Sequence, residues 1–211
     1  MRPLVPAACC AALLAAAPAA PAMPIDPAPP PALEQPIAWR SSRAVGKPFA
    51  GRLVDGVQLP AEGADFWTFD WGLRSSPNRP WRRWGTDRLV RTVLDVLAGF
   101  RTAHPGVARV GVADLSRPHG GPFGARYGGL GHASHQNGLD VDVLYPRVDN
   151  TERPPTRPRE VDRYLAQDLV DRFVAAGAVK LFTGPRLRLQ GPRGVVIALV
   201  HHDDHVHVRI R

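Results

Sequence analysis

The run Gly131-His132-Ala133-Ser134-His135-Gln136-Asn137-Gly138-Leu139-Asp140-Val141-Asp142-Val143 carries side chains whose types and spacing could do chemistry. Its last four residues alternate polar and apolar, as a half-buried strand does. Strand side chains repeat every second residue, so Asp140 and Asp142 share one face while Val141 and Val143 enter a core. Gly138 permits a sharp turn that carries His135 back over the carboxylate face. An imidazole and a carboxylate held this way supply two of the three protein ligands of a catalytic zinc site. The third should be another histidine. The chain ends His201-His202-Asp203-Asp204-His205-Val206-His207-Val208-Arg209-Ile210-Arg211, a second strand-like run in which His205 and His207 share a face.

These positions define a zinc hydrolase. His135, Asp142 and His207 are the expected ligands of one Zn2+ per chain, which leaves an open position for water. Zinc brings the pKa of such a water to about 7 and polarises the carbonyl under attack. His205 lies two residues from a ligand on the same strand face, and with a reference pKa of about 6.5 it suits general-base work. Asp140 is placed to orient a ligand histidine from behind. His132 and His202 precede His135 and His205 at the same spacing and are expected to donate hydrogen bonds to a developing oxyanion. That role for His202 requires a turn at Asp203-Asp204, which these residues allow. Any one of these histidines alone would read as a surface or core side chain. The set agrees in ligand number, spacing and face. No HExxH helix is present, so the base is not the glutamate of that motif.

The rest of the chain must position this set. It has 211 residues and a formal net charge of +8. Residues 1–22 read as a secretion signal, with a positive start, an Ala/Leu-rich run and a small-residue end. The run is too short and proline-broken to span a membrane. The residues ahead of Cys9 and Cys10 fit a lipoprotein anchor poorly. Both cysteines lie in this segment, so the mature chain has no disulfide and no thiolate ligand. The location expected is the periplasm. Residues 23–40 read as a Pro/Ala-rich tether, and 41–211 as a single domain large enough for its own core. The basic charge fits a wall or anionic membrane surface better than nucleic acid, given export, and general solubility accounts for it equally well.

Within that domain the expected class is α+β, a mainly antiparallel sheet with helices packed on it and the zinc site on the sheet face under long loops. Residues 41–59 suggest hairpins around Gly46, Gly51 and Asp55-Gly56. The aromatic run Asp65 to Trp71 reads as core packing rather than a stacking wall for sugar or peptide. Trp81-Arg82-Arg83-Trp84 is too short to read as a nucleic-acid patch. A helix should run from an N-cap at Thr86 to Ala103, burying Leu89, Val90, Val93, Leu94, Leu97 and Phe100. A strand follows over Arg109–Leu115, then a glycine-rich loop over Ser116–Leu130 that reads as the rim of the site. A second amphipathic helix carries Val161, Leu165, Leu169, Phe173 and Val174 and stops at Gly177. Strands are expected over Val179–Thr183, Val195–Val200 and His205–Ile210.

Three segments together resemble the penicillin-insensitive murein endopeptidases, within the wider group of lysostaphin-type, D-Ala-D-Ala dipeptidase and hedgehog-like metalloproteins. They are Gly131 to Gln136, Gly138 to Asp142, and His205 to Arg209. The resemblance implies a zinc endopeptidase acting on peptide stems of peptidoglycan, at cross-links joining D-alanine to meso-diaminopimelate. By position it makes His135, Asp142 and His207 zinc ligands, His205 the catalytic histidine, and His132 and His202 its supports. It also implies insensitivity to penicillin, since no serine is offered for acylation. The family's better-known members resemble disulfide-stapled proteins, and this mature chain departs from them in having no cysteine. Two other readings stay open. One is a D-Ala-D-Ala carboxypeptidase or dipeptidase, for which Arg117 or Arg126 in the glycine-rich loop would clamp a terminal carboxylate. The other is a wall- or zinc-binding module without catalysis. Oligomeric state is not legible.

Overall fold

A computed structural model describes residues 36–127 and 131–211. The segment read as a secretion signal, most of the tether and residues 128–130 of the glycine-rich loop lie outside the described residues. Among those described, β1 (Arg43–Lys47) and β2 (Ala50–Val54) form a hairpin, followed by β3 (Val57–Gln58), β4 (Phe66–Thr68) and β5 (Trp84–Gly85). Helix α1 (Asp87–Ala103) leads to β6 (Val110–Val112), β7 (Phe123–Gly124), β8 (Gly131–His132) and β9 (Asp140–Leu144). Helix α2 (Arg163–Ala175) precedes β10 (Lys180–Thr183), β11 (Val196–Ala198) and β12 (His205–Arg209).

Six strands make one sheet in the order β11-β10-β12-β9-β6-β4. The sheet is mixed rather than uniformly antiparallel. Its three interior pairings are antiparallel, while the edge pairings β10–β11 and β4–β6 are parallel. Parallel neighbours need a crossover; α1 supplies it between β4 and β6, and residues 184–195 supply it between β10 and β11. The expected hairpin at Asp55-Gly56 does not form, because β3 pairs with β5 instead of β2.

The alternation in β9 and β12 decides which face is which. Val141, Val143, Val206 and Val208 are fully buried in one core with Leu89, Val93, Leu97 and Phe100 of α1 and Leu165, Leu169 and Phe173 of α2. Buried apolar area of this kind is worth roughly 25 cal/mol per Å2 and fixes the register, since a one-residue slip would turn the valines outward. Thr86 caps α1 by accepting from the Leu89 amide, and Asp162 caps α2. Val161, expected in that helix, is buried but precedes it. The run 66–69 is core as expected: Trp67 and Phe69 pack with Ala113 and Leu144 in a smaller cluster on the other side of the sheet.

Candidate metal centre

On the sheet face opposite the helices, the strand register brings the polar residues of β9 and β12 together. His207 is paired with Asp142, and Arg209 with Asp140. Opposed strand residues hold their Cβ atoms about 5 Å apart, so His207 meets Asp142 and Arg209 meets Asp140 across the strands. The extended chain beyond β6 joins the same face, where the Asp142 amide donates to the Asp114 carbonyl and the Ala113 amide to the Asp142 carbonyl.

His135 reaches this face through a turn with unusual backbone. Its own φ is +62° and that of Gly138 is +75°. A methyl group at Gly138 would stand 2.8 Å from Leu53 Cδ1 and 3.1 Å from the Thr86 amide nitrogen, so glycine is required there. The turn is tied down on every side. The His135 amide donates to Asp140 Oδ2 at 2.9 Å, and Ser116 Oγ donates to the His135 carbonyl at 2.5 Å. The Gln136 amide donates to the Pro48 carbonyl of the β1–β2 hairpin.

Three side-chain atoms converge as a result. His135 Nε2 lies 3.1 Å from His207 Nδ1 and 3.3 Å from Asp142 Oδ1, and His207 Nδ1 lies 3.1 Å from the same oxygen. Two ligands on a tetrahedral zinc, at bond lengths of about 2.0–2.1 Å, stand about 3.3 Å apart. The donor set therefore fits that ion. His135 Nδ1–H donates to the Leu115 carbonyl at 2.5 Å, which leaves the Nε2 lone pair facing the other two atoms. His207 Nε2 is buried without a well-formed hydrogen bond, 3.3 Å from Asp140 Oδ1. Asp140 is itself held by Arg209 Nε at 2.6 Å. Carboxylates behind ligand histidines fix ring orientation in this way. His132, His135 and Asp142 also offer atoms all within 4.8 Å of one another, a group able to hold a metal ion. In that group His132 is drawn off by Asp114, to which Nε2–H donates at 2.7 Å, and its Nδ1 stands 3.6 Å from Asp142 Oδ2.

Protonation follows from these contacts. Burial pulls His135 below the usual imidazole range, and the nearby Asp142 only partly offsets it, so a free lone pair is favoured. Burial also acts on His207, but the adjacent Asp140 and Asp142 carboxylates outweigh it and push the metal-free imidazole up to about 9. Asp142 would be raised by burial, yet the surrounding histidines hold it well below the carboxylate range. His132 is raised because the Asp114 hydrogen bond and the Asp142 charge outweigh its burial.

The second C-terminal histidine stands beside the cluster. His205 Nδ1–H donates to Asp204 Oδ1 at 2.6 Å, and its Nε2 faces inward, 3.8 Å from Asp142 Oδ1. The chain bends ahead of β12, so the His202 ring stacks 4.8 Å from that of His205. His202 Nδ1–H donates to the Val200 carbonyl at 2.8 Å, which makes Nε2 an acceptor. Burial, then the neighbouring His205, holds it neutral by lowering its pKa. The expected donation from His202 to an oxyanion does not suit that tautomer.

A cleft of about 830 Å3 opens over these residues, walled by Trp71, Phe182 and Leu199 among others. Arg117 and Arg126 do not line it. They lie against the Tyr127 ring instead, at 4.3 and 4.8 Å, and Arg117 Nη1 is used on the Pro122 carbonyl. Sequence reasoning missed three supports. Asp114 lay unmarked in an expected strand, and Asp204 was read only as a turn residue. Arg82, 1% exposed, sits in the dismissed Trp81–Trp84 run and pairs with Asp114 through Nε at 2.6 Å and Nη2 at 2.5 Å.

The model of the penicillin-insensitive murein endopeptidase family matches residues 44–183. The chain belongs to this family. Among its relatives, the "penicillin-insensitive murein endopeptidase" of Yersinia enterocolitica is 25% identical over 197 residues, 81% of this chain and 66% of that protein. The protein of the same name in Yersinia pestis bv. Antiqua is 27% identical over 190 residues, 77% of this chain and 64% of that one. That of Escherichia coli strain SE11 is 28% identical over 124 residues, 58% and 40% of the two chains. The matched region thus spans just under two thirds of the Yersinia relatives. The family match ends at Thr183, and the β9–β12 pairing is what adds His205 and His207 to the family's central segment.

Proposed function

We propose that this chain is a zinc-dependent murein endopeptidase that hydrolyses D-Ala–meso-diaminopimelate cross-links between peptide stems of peptidoglycan outside the cytoplasm. Membership in the murein endopeptidase family supports the substrate class. The observation that carries the metal is the triangle of His135 Nε2, His207 Nδ1 and Asp142 Oδ1, with sides of 3.1 to 3.3 Å. His135, Asp142 and His207 would hold one zinc ion, with Asp140 orienting His207. When bound, zinc would polarise the scissile carbonyl and bring a water's pKa to about 7.

The chain's own residues divide the remaining work. His205 accepts the proton of the attacking water at Nε2, because Asp204 already takes the Nδ1–H. As the C–N bond breaks, His205 returns that proton to the departing amine nitrogen. Asp114 takes the Nε2–H of His132 and favours its charged form, and Nδ1 is the atom proposed to face the developing oxyanion. Arg82 fixes Asp114 and so indirectly the His132 ring. His202 packs against His205 and limits its rotation. Among the described residues no helix is long and apolar enough to cross a membrane, and export rests on the signal read in residues 1–22.

Purified cross-linked muropeptide dimers provide the test. Zinc-loaded protein should convert dimers to monomers by cutting the cross-link, and chelator should stop it. Release of terminal alanine alone would replace this reading by a carboxypeptidase. Retained wall binding without any cleavage would replace it by a binding module.

A further inference from the structure

Three arginines line the cleft: Arg74, Arg82 and Arg209. Arg82 is committed to Asp114, and Arg209 to Asp140. Arg74 has no carboxylate or carbonyl partner among the described residues. Arg74 is exposed, and the backbone of the turn that carries it is fixed. Residues 71–74 form a turn closed by paired amide bonds between Asp70 and Ser75. Asp70 is fully buried, accepts the Leu73 amide at 3.0 Å and receives Arg79 Nε at 2.5 Å. Arg74 itself sits at φ +54°, in the left-handed region. An L-residue there is strained relative to ordinary backbone, and such outliers collect at functional sites.

We infer that Arg74 binds a free carboxylate of the peptide substrate and so sets how the stem lies across the metal centre. The inference rests on the proposed peptidase reading and names the substrate group that the site selects. A guanidinium receives a carboxylate through two parallel N–H donors, which fixes direction as well as position. The cleft supplies no other unpaired guanidinium for this purpose among the described residues, and its remaining walls there include Trp71, Phe182 and Leu199, which favour apolar stem atoms. This assignment takes over the role expected of Arg117 and Arg126, both of which are turned to Tyr127.

The carboxylate could be carried along the stem or at its free end, and amidated substrates tell the two apart. Kinetics and calorimetric binding would be measured for wild type, Arg74→Gln and Arg74→Gly on three cross-linked dimers: unmodified, amidated only at stem carboxylates, and amidated only at the terminal carboxylate. Arg74→Gly suits the left-handed backbone and should melt no lower than wild type. Both variants should bind the unmodified dimer about tenfold more weakly, with KM raised and kcat little changed, in line with losing one charge-assisted pair. Amidation at one of the two positions should weaken the wild type by a similar factor and leave the variants unaffected. That position identifies the carboxylate. Equal binding by wild type and variants, or variants that still respond to both amidations as wild type does, would overturn the assignment. If wild type bound the dimers but cut none, the peptidase reading would fail, and the binding comparison would still decide Arg74.

Discussion

His205 and Asp204 are sequence neighbours whose side chains bond to each other, Nδ1 to Oδ1 at 2.6 Å. The contact turns His205 Nε2 toward Asp142. A histidine oriented by a carboxylate has one tautomer, with its basic nitrogen where the proton must be taken.

Asp204→Ala should therefore lower kcat by about 10- to 100-fold, the range seen when the partner behind a functional histidine is removed. Zinc content should stay at the wild-type level, because His205 is not a ligand in this arrangement. Dimer cleavage rates together with metal analysis would check both halves.

Arg82 and Asp114 form a pair in which both side chains are almost inaccessible to solvent. Replacing Arg82 by Met would leave the Asp114 charge buried with His132 and the Asn78 amide to answer it. Loss of one member of a buried pair costs about 3–5 kcal/mol. Urea unfolding of the metal-free protein should show a loss of that order, and a change below about 1 kcal/mol would mean that Asp114 does not depend on Arg82.

The same pair predicts a pH dependence. Burial acts to raise the Asp114 carboxyl, but hydrogen bonds from Arg82 and His132 hold it down at about 2, below its ordinary value of 3.8. A depressed carboxylate adds stability above its unfolded pKa and loses it as pH falls through its folded value. Its contribution, about 2 kcal/mol, should be complete above pH 4 and vanish between about pH 4 and pH 2. The stability gap between wild type and Asp114→Asn, followed by denaturant midpoints, should narrow as pH falls across that window, stay constant just above it, and narrow again where His132, raised by Asp114, loses its proton.

The parts of the fold written in local pattern were legible from the chain. Alternation at 140–143 and 205–208 gives two strands with a valine face and a histidine–aspartate face, and the spacing from Leu89 to Phe100 gives α1 with its Thr86 cap. What was not legible depends on contacts between distant segments. Nothing beside Asp114 in sequence shows that Arg82 will meet it, and a short basic–aromatic run gives no sign that one of its arginines is 1% exposed. Neither parallel edge of the sheet has a local signature, since crossover geometry decides it. Arg117 and Arg126 lie in the glycine-rich loop that reads as the rim, where either would clamp a terminal carboxylate in a carboxypeptidase. The loop's path, fixed by the β7–β8 pairing and the Tyr127 ring, takes them elsewhere. Asp204 was visible as a residue but not as a partner, because its role depends on the bend that precedes β12.

Metal analysis of three purified proteins tests the arrangement most directly: wild type, His205→Ala and His207→Ala, each dialysed against equal zinc and assayed for bound metal. Wild type and His205→Ala should retain about one zinc per chain, the latter without turnover, while His207→Ala should retain little. Parallel loss of zinc in both variants would make His205 a ligand, and a metal-free wild type would mean that the 3.1 to 3.3 Å triangle of His135, Asp142 and His207 does not hold an ion.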